Sequence, residues 1–145
     1  MRELRRTRAG PFTERNDLVT LHELSAAQRD YENGNEKALR NIIQPMETAL
    51  NTFPKIFVRD SAVDAICHGA ELAVPGISKL HSSTTRNKPA AIFTLKGEAV
   101  AIARALMNAD EILVQEKGLA AKPERVLMER NTYPSMWKHQ RVEQT

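Results

Sequence analysis

The turn residues that follow Pro54 constrain this chain more than any other feature. Gly69, Pro75-Gly76, Lys96-Gly97 and Lys117-Gly118 recur at intervals that leave room only for short elements between them. Ile56, Phe57 and Val58 read as a short strand, residues 77–80, 91–95 and 119–128 as further strands, and Lys96-Gly97 as a hairpin turn. Residues 98–106 are rich in alanine, which favours helix by propensity, but they follow the hairpin turn, and that position decides for strand. Two short helices fit between these strands. Asp60-Ser61 can cap one that carries Ala62, Val63 and Ile66 and ends at Gly69, and residues 108–114 form the other. Several short strands broken by turns predict a small closed or partly closed barrel.

Ahead of Pro54 the pattern is helical. Residues 1–12 read as extended, with Gly10-Pro11 as a stop. Leu18, Leu21 and Leu24, with Val19, mark a helix for which Asp17 is the expected N-cap. Residues 31–35 form a turn, and Leu39, Ile42, Ile43, Met46 and Leu50 continue the helical period. Pro45 lies inside that period; lacking an N–H, it kinks the helix or starts a new one. Aromatic residues make up 5% of the 145, so the core must rest on Ala, Val, Ile and Leu.

The formal charge is +3, which is mild, but its distribution is uneven. Arg2, Arg5, Arg6 and Arg8 cluster at the start, opposed by Glu3, and Lys138, His139 and Arg141 form a weaker basic group at the end. Arginine's planar donor fork suits phosphate oxygens, so the cluster is either a phosphate-binding edge or a solvated terminus. No apolar run approaches the roughly 20 residues that cross a bilayer, and no apolar core follows the basic start as in a secretory signal. One cysteine, Cys67, forms no internal disulfide framework and is read as core packing in a reducing compartment.

The chemistry-bearing residues are scattered. His22, His68, His81 and His139 lie far apart, so no metal or other cofactor is expected. Asp17 and Asp60 read as helix caps, Asp64 lies on the small helix and Asp110 in a polar turn, and none has the setting of an activated nucleophile. Phosphate-loop, dinucleotide and nucleophile-elbow motifs do not occur.

The segments MRELRRTRAGPF, DLVTLHEL, IIQPME, RDSAVDAICHGAELAVPGI, TLKGEAVA and LMERNTYPSMW, in this order from Met1 to about Lys138, closely resemble the C-terminal half of the archaeal and eukaryotic dyskerin-type pseudouridine synthases. These are TruB-like enzymes of the H/ACA guide-RNA particle. The resemblance implies an α+β chain: a small β pseudo-barrel, the PUA domain, preceded by a helical lead-in and a strand remnant of the catalytic domain. The implied divisions are 1–16 for that remnant, 17–52 for a helical connector, 53–138 for the PUA domain and 139–145 for a disordered tail. The family's catalytic aspartate stands in a Gly-x-Leu-Asp-Pro motif that this sequence does not contain, so the chain is expected to be inactive alone and part of a longer or split protein.

By resemblance, HGAELAVPGI matches the PUA segment that lies against the lower stem and 3′ ACA end of the guide RNA. That role passes to His68, Gly69, Ala70, Leu72, Val74, Pro75 and Gly76, where small residues let backbone amides and carbonyls reach base edges. Arg59 and Lys79 would add phosphate contacts, and Arg2, Arg5, Arg6 and Arg8 match a segment flanking the active cleft. Structural roles compete at several positions. Leu72, Val74 and Ile77 alternate like core strand residues, Gly69 suits a helix cap, Gly76 a turn, His68 a plain surface histidine, and Tyr133 and Trp137 either stack on bases or pack the chain end. The implied partners are an H/ACA-type guide RNA, with tRNA or rRNA as further substrates, the catalytic half and the small H/ACA proteins, with no membrane. A split synthase active only with its other half and a protein-docking platform are the competing readings.

The chain departs from the family at Asn87-Lys88-Pro89, where a Gly-Asp turn is usual, and at Ala103, where glycine is common. Pro89 is expected to make its strand an edge or a bulge. No long lysine-rich tail follows Trp137, which favours an archaeal cytoplasmic setting over a nucleolar one.

Overall fold

The computed structural model describes residues 2–15 and 17–136, which form two compact units, Met1–Thr52 and Phe53–Thr145. Trp137, the basic group Lys138, His139 and Arg141, and the expected tail lie outside the described residues.

In the first unit Arg8–Ala9 (β1) and Phe12–Thr13 (β2) pair antiparallel. Gly10-Pro11 is therefore the turn of a hairpin rather than a stop. Gly10 has φ +59, the sign a two-residue hairpin turn asks of its first central residue. The helix Leu21–Glu32 (α1) begins at Thr20, not Asp17. Thr20 and Glu23 form a capping box: the Glu23 N–H donates to Thr20 Oγ1 at 3.3 Å, and the Thr20 N–H donates to Glu23 Oε2 at 2.7 Å. Two orphan donors of the first turn are satisfied at once, which a lone Asp17 three residues earlier cannot do. The helix Lys37–Ile42 (α2) stops before Pro45, and Pro45 opens a 3-10 helix over Met46–Leu50. Proline thus starts a new element, as its missing N–H and fixed φ dictate.

The second unit is a six-stranded sheet. Its strands are Lys55–Val58 (β3), Leu72–Ala73 (β4), Ile77–Leu80 (β5), Pro89–Thr94 (β6), Ala99–Ala105 (β7) and Leu119–Val126 (β8), in the order β4-β8-β7-β6-β3-β5. All neighbours are antiparallel except β3 with β6. The outermost strands β4 and β5 are joined only by the 3-10 turn Val74–Gly76. Flat, a six-stranded sheet holds its edges about 24 Å apart, whereas the chain from Ala73 to Ile77 reaches at most about 14 Å. The sheet must curl until its edges nearly meet, which makes it the barrel expected from the turn spacing. A glycine turn at Lys96-Gly97 joins β6 to β7, and Gly97 has φ +86.

Residues 99–105 are strand despite their alanines. Ala101, Ala103 and Ala105 are buried, where small side chains let a tightly curved sheet close on itself. Larger side chains fill the rest: Ile56, Val58, Val63, Ile66, Leu72, Ile92 and Val100 are fully buried. Cys67 joins them, as expected of packing, and burial first and the Asp64 carboxylate second push its thiol pKa upward.

Two expectations need correction here. Pro89 does not make β6 an edge, because β6 lies between β7 and β3. As the strand's first residue, Pro89 withholds no ladder hydrogen bond, and the irregularity in pairing falls at Ile92/Phe93 instead. Asn87 supplies the left-handed turn before it, with φ 62 and its N–H bonded to the Ala105 carbonyl at 2.8 Å. Asp110 lies in the first turn of the helix Ala109–Val114 (α4), not in a free polar turn, and Asn108 and Glu111 cap that helix reciprocally.

Candidate nucleic-acid interface

The helix Asp60–Cys67 (α3) organises the candidate site. Asp60 is its first helical residue rather than its cap; Arg59 holds the cap position and donates its backbone N–H to the Gly76 carbonyl at 2.9 Å. At the other end the chain reverses through Gly69, with φ +90. The Gly69 N–H bonds to the Ile66 carbonyl and the Ala70 N–H to the Ala65 carbonyl, each at 2.9 Å. This paired closure is the left-handed glycine cap, so Gly69 has a structural duty whatever else it does.

Two grooves border the α3 end. The first, of about 570 Å³, is lined by Asp64, His68, Gly69 and Ala70 on one side and by Asn131, Ser135 and Met136 on the other. The second is more apolar and runs along Ala62, Ala70, Leu72, Pro75 and Gly76. Ser61, Ala65 and Ala70 line both, so the HGAELAVPG segment, Val74 excepted, rims the two grooves.

The structure brings six of the expected residues, His68, Gly69, Ala70, Leu72, Pro75 and Gly76, to these grooves. Val74 is the exception. Its side chain packs with Met107, Ile112 and Ala120 and its N–H bonds to the Gly118 carbonyl at 2.9 Å, so it is a core residue. Leu72 lines the second groove but is itself buried in the main core. Some of the backbone amides expected to face bases are already committed. The N–H groups of Gly69, Ala70 and Val74 are already engaged within the chain, and Pro75 has none. Gly76 lies in the Val74–Gly76 turn as expected, but its φ is not in the left-handed region; what asks for glycine is space, since a Cβ there would lie 3.1 Å from Ala62 Cβ and 3.2 Å from Leu72 Cδ1.

Asp64 was legible only as a helix residue. Its side chain is 8% exposed, and Oδ1 has no hydrogen-bond partner among the described residues. His68 Nδ1 lies 2.8 Å from the Asp64 main-chain carbonyl and 3.4 Å from Asp64 Oδ1.

The far wall of the first groove comes from the segment after β8, for which base stacking by Tyr133 was one of two expected roles. Tyr133 fixes it. The buried Tyr133 ring donates its hydroxyl to Glu98 Oε2 at 2.5 Å, and Lys96 Nζ stands 5.5 Å above the ring centroid. The Tyr133 hydrogen bond, with help from Thr94, lowers the Glu98 pKa, and the same bond raises that of Tyr133. Tyr133 therefore packs the chain against the barrel and is not free to stack on a base. Asn131, two residues earlier, sits at φ 63 and lines the groove.

Neither Arg59 nor Lys79 lines either groove. Arg59 and Lys79 are exposed on the second unit. Arg2, Arg5, Arg6 and Arg8 are exposed on the first, where Arg5 pairs with Glu14 and Arg8 Nε donates to the Gly10 carbonyl at 3.1 Å. Two of the four arginines thus brace their own hairpin. Among the described residues no three His, Cys, Asp or Glu side chains gather as a metal would require.

A family model for the PUA domain matches residues 54–127, and one for the tRNA pseudouridylate synthase B C-terminal domain matches residues 1–51. A probable tRNA pseudouridine synthase B of Methanosarcina acetivorans is 59% identical over 138 residues, which are 94% of this chain and 40% of that protein. Its counterpart in Archaeoglobus fulgidus is 52% identical, covering 95% of this chain and 42% of that protein. The chain therefore spans about two fifths of these relatives. Among solved structures, an H/ACA RNP bound to a substrate RNA containing 2′-deoxyuridine matches at 48% identity and TM-score 0.86, over 90% of this chain and 42% of that one. An archaeal box H/ACA sRNP Nop10–Cbf5 complex matches at 45% identity and TM-score 0.85, with the same coverage.

Proposed function

Because the chain belongs to the PUA-domain family over residues 54–127 and to the C-terminal-domain family of tRNA pseudouridylate synthase B over residues 1–51, we propose that it is the RNA-anchoring part of a guide-dependent pseudouridine synthase. Its PUA barrel holds the lower stem and 3′ ACA end of an H/ACA-type guide RNA along the α3 rim, with His68, Gly69, Ala70, Leu72, Pro75 and Gly76 at the RNA. Arg59, Lys79 and the arginines at the start of the chain add phosphate contacts. The anchored guide presents its target uridine to a catalytic domain, which must unstack that uridine before attacking it. The chain itself supplies no catalytic residue in this reading. The likeness to an H/ACA particle solved with substrate RNA carries the proposal. Its neighbours include complexes with Nop10 and Gar1, so small particle proteins are further proposed partners. An archaeal cytoplasm is the proposed setting.

A gel-shift titration against an RNA hairpin with a 3′ ACA tail tests the proposal. Binding should weaken steeply with salt, because phosphate contacts release counterions. It should also weaken when ACA is replaced by another trinucleotide; equal affinity for every tail would refute sequence reading.

A further inference from the structure

On its α3 side the groove offers acceptors but few free backbone donors. Its Gly69 and Ala70 amides are spent on the helix cap. Asp64 Oδ1 is buried and unpartnered among the described residues, and a bare buried carboxylate oxygen is costly unless something occupies it. The 2.8 Å contact from His68 Nδ1 to the Asp64 carbonyl requires the ring proton on Nδ1, since a carbonyl only accepts. In the neutral ring Nε2 is then an acceptor as well. The C-terminal end of α3, where both residues lie, adds its negative dipole end. His68 is half exposed and its Nδ1 stands 3.4 Å from Oδ1, and both residues line the groove.

We propose that Asp64 Oδ1 and His68 Nε2 form an acceptor pair that receives the exocyclic amino group of an unpaired RNA base. One amino group carries two N–H donors, which matches two acceptors on residues one helical turn apart. A carboxylate taking an amino group is an established mode of base reading. Phosphate is disfavoured here by the carboxylate, so the backbone of the RNA lies outside this groove. The inference rests on the RNA-anchoring function proposed above and assigns it a specificity-determining pair.

Two measurements test it. In the free protein, long-range proton–nitrogen NMR correlations should find the neutral His68 ring protonated at Nδ1; a ring protonated at Nε2 would remove one acceptor and overturn the pair. The second measurement uses the hairpin with a 3′ ACA tail, each adenosine replaced in turn by purine riboside, and the cytidine by the analogue without its amino group. One position should lose about tenfold in affinity for the native chain, the loss of a base-specific contact. In D64A, and in H68A at an exposed position that leaves the fold intact, that same base change should cost little further. Full additivity of protein and base changes overturns the inference while leaving RNA anchoring in place. Failure of the native chain to bind any of these RNAs overturns both.

Discussion

Replacing Gly76 by alanine isolates what holds the α3 rim in place. The new Cβ would meet Ala62 Cβ at 3.1 Å and Leu72 Cδ1 at 3.2 Å, about half an ångström inside comfortable carbon–carbon contact. Neither neighbour yields easily. Leu72 is 1% exposed in the main core, and Ala62 is carried by α3, whose Val63 and Ile66 are fully buried. Retreat of Gly76 itself is opposed by its carbonyl, which accepts the Arg59 N–H at 2.9 Å. Overpacking of this kind costs about 1–3 kcal/mol, and the smaller backbone entropy of unfolded alanine returns about 0.4–1 kcal/mol. Mid-range values leave a net loss of about 1 kcal/mol, which should lower the Tm by roughly 5 °C for a domain of this size. A double-mutant cycle with Ala62→Gly identifies the cause. Alone, that change costs about 1 kcal/mol of helix propensity, but it removes the nearest clash, so the double variant should melt higher than additivity predicts. An unchanged Tm in G76A, or strictly additive losses, would refute the steric account.

Other perturbations probe other parts. At Gly69 a Cβ has nothing within 4 Å, so the cost of G69A comes from the φ of +90 alone, about 1 kcal/mol by melting, with asparagine milder and valine worse. Gly69→Val should also weaken RNA binding in the same gel shift, because it deforms the rim between the grooves. For Tyr133→Phe the pH profile is diagnostic. Glu98 is held below its unfolded pKa, so its contribution is present above the unfolded value and lost as pH falls through the folded one. The Tyr133 pKa is raised, so its contribution is complete below the unfolded phenol value and lost as pH rises through the folded one. The Tm gap between the native chain and Y133F should therefore be flat near neutrality and close at both extremes; a gap unchanged in acid refutes the clamp. Thr20→Ala removes half of the α1 capping box and should lower that helix's protection in hydrogen exchange, whereas Asp17→Ala should not.

What could be read from the residues was local. Gly69, Pro45 and Lys96-Gly97 act within a few positions of themselves, and each took the expected role as cap, helix start and hairpin turn. Asp17 competed with Thr20 for the α1 cap, and the deciding signal was Glu23, three residues after Thr20, which completes the reciprocal pair. Pro89 was misread because edge or centre is a property of strand order, set by the parallel pairing of β3 with β6 across the intervening helix and turns. The Asp64–His68 spacing was visible as one helical turn, but not that Asp64 would be buried. The groove's far wall depends on Tyr133 reaching Glu98 from 35 residues away, a contact that no local pattern announces. Residues 98–106 show the opposite case, in which a hairpin turn correctly overruled alanine's preference for helix.

Strand order also sets a timetable. During synthesis β3 can pair with β5 soon after both emerge, but β4, one rim of the barrel, pairs with β8, the last strand among the described residues. Until β8 leaves the ribosome, Leu72 and the apolar side of α3 have no finished sheet to cover them. Chains stalled before Leu119 are thus expected to be sticky, and folding to be slow for so small a domain, because its closing contact is also among its most distant in sequence.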